Sequence, residues 1–151
     1  MNYKKTIVFV SGVLFASVVL LLIFQRNENP SEPTPPDLKV HTGEEVITAM
    51  RGGYCWNENG KAVCVDAADP AEDLDEDQGL RAVSGGNIEL EFDSPPEVIE
   101  IEGKSEGGRW EELQMNDLQL KLPEPKDNYV YRISGQWEQG DVTYAFLVKA
   151  E

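Results

Sequence analysis

"NYVYRISGQWEQGDVTYAFLVKA", Asn128 to Ala150, sets bulky apolar residues at alternate positions, with polar or small residues between them except at Val130 and Leu147. Tyr129, Tyr131, Ile133 and Trp137 sit at alternate positions of its first half, and Val142, Tyr144, Phe146 and Val148 at alternate positions of its second. A period of two marks a half-buried β-strand. With Gln139-Gly140 closing the two strands, Trp137 should face Val142, Ile133 should face Phe146 and Tyr131 should face Val148. Gly135 would then face Tyr144, an aromatic cover for a strand glycine. These large apolar groups fall on one side. A sheet with one apolar side must bury it against a second layer.

The same pattern recurs upstream. "NIELEFD" (Asn87–Asp93) places Ile88, Leu90 and Phe92 on one face, "EVIEIEG" (Glu97–Gly103) places Ile99 and Ile101 together, and "LQLKL" (Leu118–Leu122) places Leu118, Leu120 and Leu122 together. Gly, Pro and acidic turns separate them, which reads as an all-β antiparallel sandwich. "HTGEEVITAMRGG" (His41–Gly53) fits two patterns. Thr42 with Glu45 resembles a capping box, but Gly52-Gly53 would stop a helix after barely two turns. A hairpin turning at Thr42-Gly43 is the preferred reading.

"DNYVYRI", Asp127 to Ile133, resembles the start of strand F in immunoglobulin-like domains, where the pattern is D-x-x-x-Y-x-C. The resemblance implies that Tyr131 is the corner tyrosine whose hydroxyl bonds backward. Ile133 takes the place of the inter-sheet cysteine, so that disulfide is absent. "AVSGGNIELEF" similarly resembles the first strands of bacterial immunoglobulin-like modules. The stretches "RGGYCW", "CVDAADP" and "QWEQGDVTYAFLV" are similar to uncharacterised membrane-anchored extracytoplasmic proteins of Gram-positive bacteria, a resemblance that implies no activity.

"GGYCWNENGKAVCVD", Gly52 to Asp66, holds both cysteines of the chain. Asn59-Gly60 is a strong signal for a two-residue type I′ turn. Placed at the tip, it sets Trp56 opposite Val63 and Cys55 opposite Cys64. That cysteine pair is non-hydrogen-bonded, with Cα atoms about 4.5 Å apart, inside the roughly 4.4–6.8 Å a disulfide accepts. Two cysteines without a nearby histidine cannot make a four-ligand zinc site. Eight intervening residues do not fit a redox motif. A structural disulfide is favoured over reduced thiols, and it implies an oxidising compartment. Because this hairpin precedes the immunoglobulin-like strands, it is expected to be an N-terminal extension, packed through Tyr54 and Trp56.

The N-terminus points to the same compartment. Lys4 and Lys5 precede an uncharged run over residues 6–24, "TIVFVSGVLFASVVLLLIF". It would span about 28 Å as a helix, enough for a bilayer core. No small-residue cleavage site follows, so an uncleaved signal-anchor is expected, with the lysines inside and the rest of the chain outside. Residues 1–25 would be the cytoplasmic tip and transmembrane anchor, 26–37 a proline-rich linker, and 38–151 an extracytoplasmic domain. The linker would hold the domain roughly 30 Å from the bilayer.

Residues 1–25 carry two lysines and no acid, so residues 26–151 carry 11 basic and 28 acidic groups, a net of −17. Such a domain repels nucleic acid and anionic polymers. The chemistry-bearing candidates are few. His41 is the lone histidine and completes no recognisable triad. No phosphate-binding glycine loop occurs. "DPAEDLDEDQG", Asp69 to Gly79, sets Asp73, Asp75 and Asp77 at alternate positions, the spacing calcium loops use. However, the glycine and glutamate of an EF-hand are replaced by Gln78 and Ser84. The expected function is therefore a binding or structural module of the cell envelope, without a cofactor and without enzymatic activity. A calcium-binding envelope protein using residues 69–79 and a small extracytoplasmic hydrolase are the alternatives. The candidate binding surface is the tip from Trp137 to Val142, with Trp56 and Trp110, for an envelope protein partner.

Overall fold

Strand forms wherever the period-two pattern runs. The computed structural model describes residues 32–151 apart from Glu44. In chain order the strands are β1 (Leu38–Thr42), β2 (Glu45–Thr48), β3 (Met50–Glu58), β4 (Lys61–Val65), β5 (Leu80–Ala82), β6 (Asn87–Phe92), β7 (Val98–Ser105), β8 (Glu111–Glu112), β9 (Gln119–Lys121), β10 (Asn128–Trp137) and β11 (Gly140–Ala150). One sheet has the order β2-β1-β6-β9; the other runs β4-β3-β11-β10-β7-β8, with β5 also on β11. All pairings between these strands are antiparallel except β5 with β11. The expected anchor at residues 6–24 and the first part of the linker lie outside the described residues. Among the described residues no helix is long and apolar enough to cross a membrane.

The two sheets share one core. Leu38, Val40, Ile88, Leu90, Phe92 and Leu120 come from the first, and Trp56, Ile101, Tyr131, Ile133, Tyr144 and Phe146 from the second. Phe92 bridges them, edge-on to Trp137 at 5.7 Å and to Tyr144 at 6.0 Å.

The segment from His41 to Met50 is a hairpin, with Thr42 paired to Glu45. The capping-box residues do other work. Thr42 Oγ1 donates to Arg81 O at 2.7 Å, and Glu45 Oε2 accepts from Arg81 N at 3.2 Å. They clamp β5 on the side away from β11.

The cysteine hairpin has the expected register, from Glu58 opposite Lys61 to Tyr54 opposite Val65. Asn59 and Gly60 take φ values of 53° and 75° at its tip, and Cys55 and Cys64 are bonded with Cα atoms 4.1 Å apart. It is not an extension, however. β3 hydrogen-bonds along β11, and Trp56 lies in the common core. The pairing shifts by one residue between Val142 and Tyr144, so that Gly52 and Gly53 together oppose Thr143. These glycines, which read as a helix stop, form a β-bulge. A Cβ on Gly52 would lie 2.6 Å from Pro70, so the glycine makes room for the loop that follows β4.

The last hairpin is displaced by two residues from its expected register. Trp137 pairs with Gly140, Ile133 with Tyr144 and Tyr131 with Phe146. The turn is Glu138-Gln139 rather than Gln139-Gly140. A shift of two preserves which side each residue faces, so the buried set is unchanged. The cover over Gly135 does change. It comes from Trp137 on the same strand, whose ring would lie 2.5 Å from an added Cβ, and not from Tyr144.

The linker also ends earlier than expected. Pro33 and Pro35 are buried, Tyr144 donates its hydroxyl to Pro36 O, and Arg51 pairs with Asp37. The compact unit is Pro33–Glu151.

The disulfide ties edge strand β4 to β3, which β11 already holds. Replacing both cysteines with serine should cost about 2–3 kcal/mol, the chain-entropy value for a loop of roughly ten residues. Amide exchange should accelerate in Lys61–Val65 while the β3–β11 amides stay slow. Global loss of protection would mean that the bond holds more than an edge.

Candidate functional site

The three tryptophans named as a binding surface are separated by the fold. Trp137 is 9% exposed and Trp56 6%, and their rings meet edge-on at 5.6 Å. The indole N–H of Trp137 donates to Ser94 O at 2.9 Å. Both are core residues: β3 and β10 flank β11 in one sheet, and the two rings meet across Gly140, which pairs with both and has no side chain to separate them. Only Trp110 reaches the surface. It lies against Lys104, whose ammonium is 4.6 Å from the ring centroid, and Arg132, whose guanidinium carbon is 4.5 Å from it.

Arg132 is the hub of the outer face of the second sheet. It donates to Glu102 on neighbouring β7 at 2.6 and 3.1 Å, and to Asp69 at 2.5 Å. The Glu102 hydrogen bond raises its pKa most; burial opposes this and Asp69 adds to it. Asp69 comes from the loop after β4, whose Pro70 is buried against Gly52. Arg132 therefore fastens the acidic loop to the sheet, and two carboxylates answer its charge.

The acidic loop does not bring Asp73, Asp75 and Asp77 together. Residues 70–72 and 76–78 are two 3-10 turns. Asp75 accepts from the backbone N–H of Asp77, and Asp73 sits at the end of the first turn. Among the described residues no three His, Cys, Asp or Glu side chains converge to hold a metal ion. Alternate carboxylates share a face only in extended backbone, and these turns disperse them.

His41 lies on the outer face of the first sheet, with Nε2 2.8 Å from Glu91 Oε2. The hollow it lines also presents Asn87, Glu89 and Gln119, and no serine, threonine or cysteine.

Sequence alone did not separate the two tyrosines of β10. Both face inward. The backward bond expected of Tyr131 is made by Tyr129, whose hydroxyl donates to Pro125 O at 2.9 Å. Tyr131 stacks on Phe146 with centroids 5.2 Å apart and is 1% exposed. Its hydroxyl is buried without a hydrogen-bond partner among the described residues. It lines a cavity of about 240 Å³, together with Tyr129, Gly103, Leu113, Lys121 and Arg109 among others. Gly103 is required there, because an added Cβ would lie 2.9 Å from the Tyr131 ring and 2.7 Å from Leu113.

Opposite outcomes follow for two similar substitutions. Tyr129→Phe removes a hydrogen bond and should cost about 0.5–1.5 kcal/mol. Tyr131→Phe removes a buried hydroxyl that nothing satisfies, and should leave stability unchanged or raise it by about 1 kcal/mol. Thermal melts of the two variants measure the contrast, and a larger loss in Tyr131→Phe would contradict it.

Burial also pushes the pKa of Tyr131 well above the usual phenol range, with the neighbouring Tyr129 adding to it. Burial raises that of Tyr144 too; Arg51 opposes this, while Asp37 and Asp93 add to it. The unfolded chain loses these protons near pH 10, whereas the folded chain keeps them. Stability is therefore untouched below about pH 10, and above it each tyrosine costs about 1.4 kcal/mol per pH unit. Urea midpoints measured from pH 9 to 11 should fall less steeply in Tyr131→Phe than in the parent.

No family model, curated protein or solved structure matches the chain.

Proposed function

We propose that the chain is a membrane-anchored, extracytoplasmic immunoglobulin-like module that serves the cell envelope by binding or by structure. The single observation that carries the location is the Cys55–Cys64 disulfide, closed across a hairpin whose register sets the two cysteines face to face. Such bonds persist outside the cytosol. The lysine-flanked apolar run at residues 6–24 supports the same side of the membrane and supplies the anchor.

Strand order supports the immunoglobulin-like assignment. From β6 onward, β6 and β9 pair in one sheet while β7, β10 and β11 adjoin in the other, as strands B and E and strands C, F and G do in that fold. Tyr129 makes the backward bond of a corner tyrosine. Tyr131 then occupies the position of the inter-sheet cysteine, two residues on. The β1–β2 hairpin on β6 and the β3–β4 hairpin on β11 are additions to that plan.

The test is topological. Protease added to intact cells stripped of wall should degrade the domain and spare the N-terminus. Alkylation before reduction should label neither cysteine. A protected domain, or free thiols, would remove the proposal.

A further inference from the structure

We infer that the cavity between the edge of the second sheet and β9, with Tyr131 in its wall, is a binding site for a small monocarboxylic acid that carries an apolar body. The inference concerns the site itself and stands whichever side of a membrane the domain occupies.

The first observation is charge in the wrong place. Acids outnumber bases 28 to 13 in this chain, yet three cations, Lys104, Arg109 and Lys121, line one cavity beside a single carboxylate, Glu111. Among the described residues Arg132 is answered by Asp69 and Glu102, Lys39 by Glu91 and Asp93, and Arg51 by Asp37; Lys61, Arg81, Lys126 and Lys149 form no ion pair, but none of them lines this cavity. Among the described residues, Arg109 and Lys121 form no ion pair. Lys104 places its ammonium over Trp110 rather than on an acid. With so many carboxylates nearby, two unanswered cations at one cavity leave attraction free for an anion from outside.

The second observation is independent of charge. Tyr131, 1% exposed, keeps a hydroxyl with no partner, and such groups are rare in folded proteins. Phenylalanine would fill the same space without that cost. A ligand oxygen is a partner the hydroxyl lacks in the free chain, and a phenol donates readily to a carboxylate. Burial keeps the hydroxyl protonated and so able to donate throughout the neutral range.

Size and lining narrow the class. A volume of about 240 Å³ accepts a molecule the size of a benzoate or a hexanoate, not a nucleotide. Leu113, Pro123 and Tyr129 supply apolar wall, so the ligand needs an apolar body. A planar carboxylate matches the guanidinium fork of Arg109. Glu111 and the acidic surroundings disfavour a dianion such as phosphate.

Ligand-observed NMR titration of the full-length chain in detergent, with a detergent-only blank, tests this. Benzoate and hexanoate should bind saturably, while benzylamine and inorganic phosphate should not. Arg109→Ala with Lys121→Ala should weaken benzoate about tenfold or more. Tyr131→Phe should weaken it severalfold without lowering the melting temperature, a combination that a purely structural tyrosine cannot produce. No saturation by either acid, equal binding of benzylamine or phosphate, or unchanged affinity in the double variant would each overturn the inference.

Discussion

Gly140→Val should leave little folded protein. Gly140 has a φ of 153°, and an added Cβ would lie 1.9 Å from the carbonyl oxygen of Cys55. That atom belongs to backbone, not to a flexible side chain, so it cannot step aside. The clash falls where β11 begins to pair with β3, opposite Trp56. Relieving it parts the two strands and withdraws Trp56 from the core. We expect a loss of about 4 kcal/mol or more, at the extreme of single substitutions. A domain this small holds roughly 5–15 kcal/mol in all. Gly60→Ala is the control. Gly60 also has positive φ, 75°, but open space around its Cβ direction, so only backbone strain of about 1–2 kcal/mol applies. Denaturant melts of the two variants separate close approach from strain, and equal losses would show that the β3–β11 contact at Gly140 is not tight.

Trp137→Ala should cost about 3–5 kcal/mol, the range for truncating a large buried aromatic. The ring touches Trp56 and Phe92 edge-on and folds back over Gly135. Its removal empties the end of the sandwich and leaves Ser94 O without its donor. Trp110→Ala should cost only about 1 kcal/mol, because that ring is half-buried and its cation contacts are near the surface. The pair distinguishes a core tryptophan from a surface one by melting temperature alone. A Trp110 variant as unstable as the Trp137 variant would falsify that division.

Much of this architecture was legible from residue order. β10 has the expected bounds, β6 ends one residue short of them, and the cysteine hairpin closes in the expected register, because Asn59-Gly60 admits one turn geometry and a two-residue turn leaves no freedom downstream. The final hairpin lacked such a lock. Gln139-Gly140 resembled a turn, but Gly140 is a glycine for another reason: a strand 84 positions earlier in sequence, at Trp56, passes against it. For the acidic loop, residue order offers calcium only as an alternative. Its aspartates have calcium-like spacing, and local backbone bonds in two 3-10 turns spread them apart.

Periodicity in the chain by itself determined that the protein is all-β, which side chains turn inward, and which cysteines meet, since each of these follows from a period of two and one turn. Tertiary structure alone decided that the cysteine hairpin is part of the main sheet, that Trp56 and Trp137 meet edge-on in the core, and that Tyr129 rather than Tyr131 makes the backward bond. It alone brought Arg109, Lys121 and Tyr131 to one cavity. The physical reason is common to all four. Alternation fixes the face a residue occupies, but it carries nothing about which distant strand, loop or charge that face will meet.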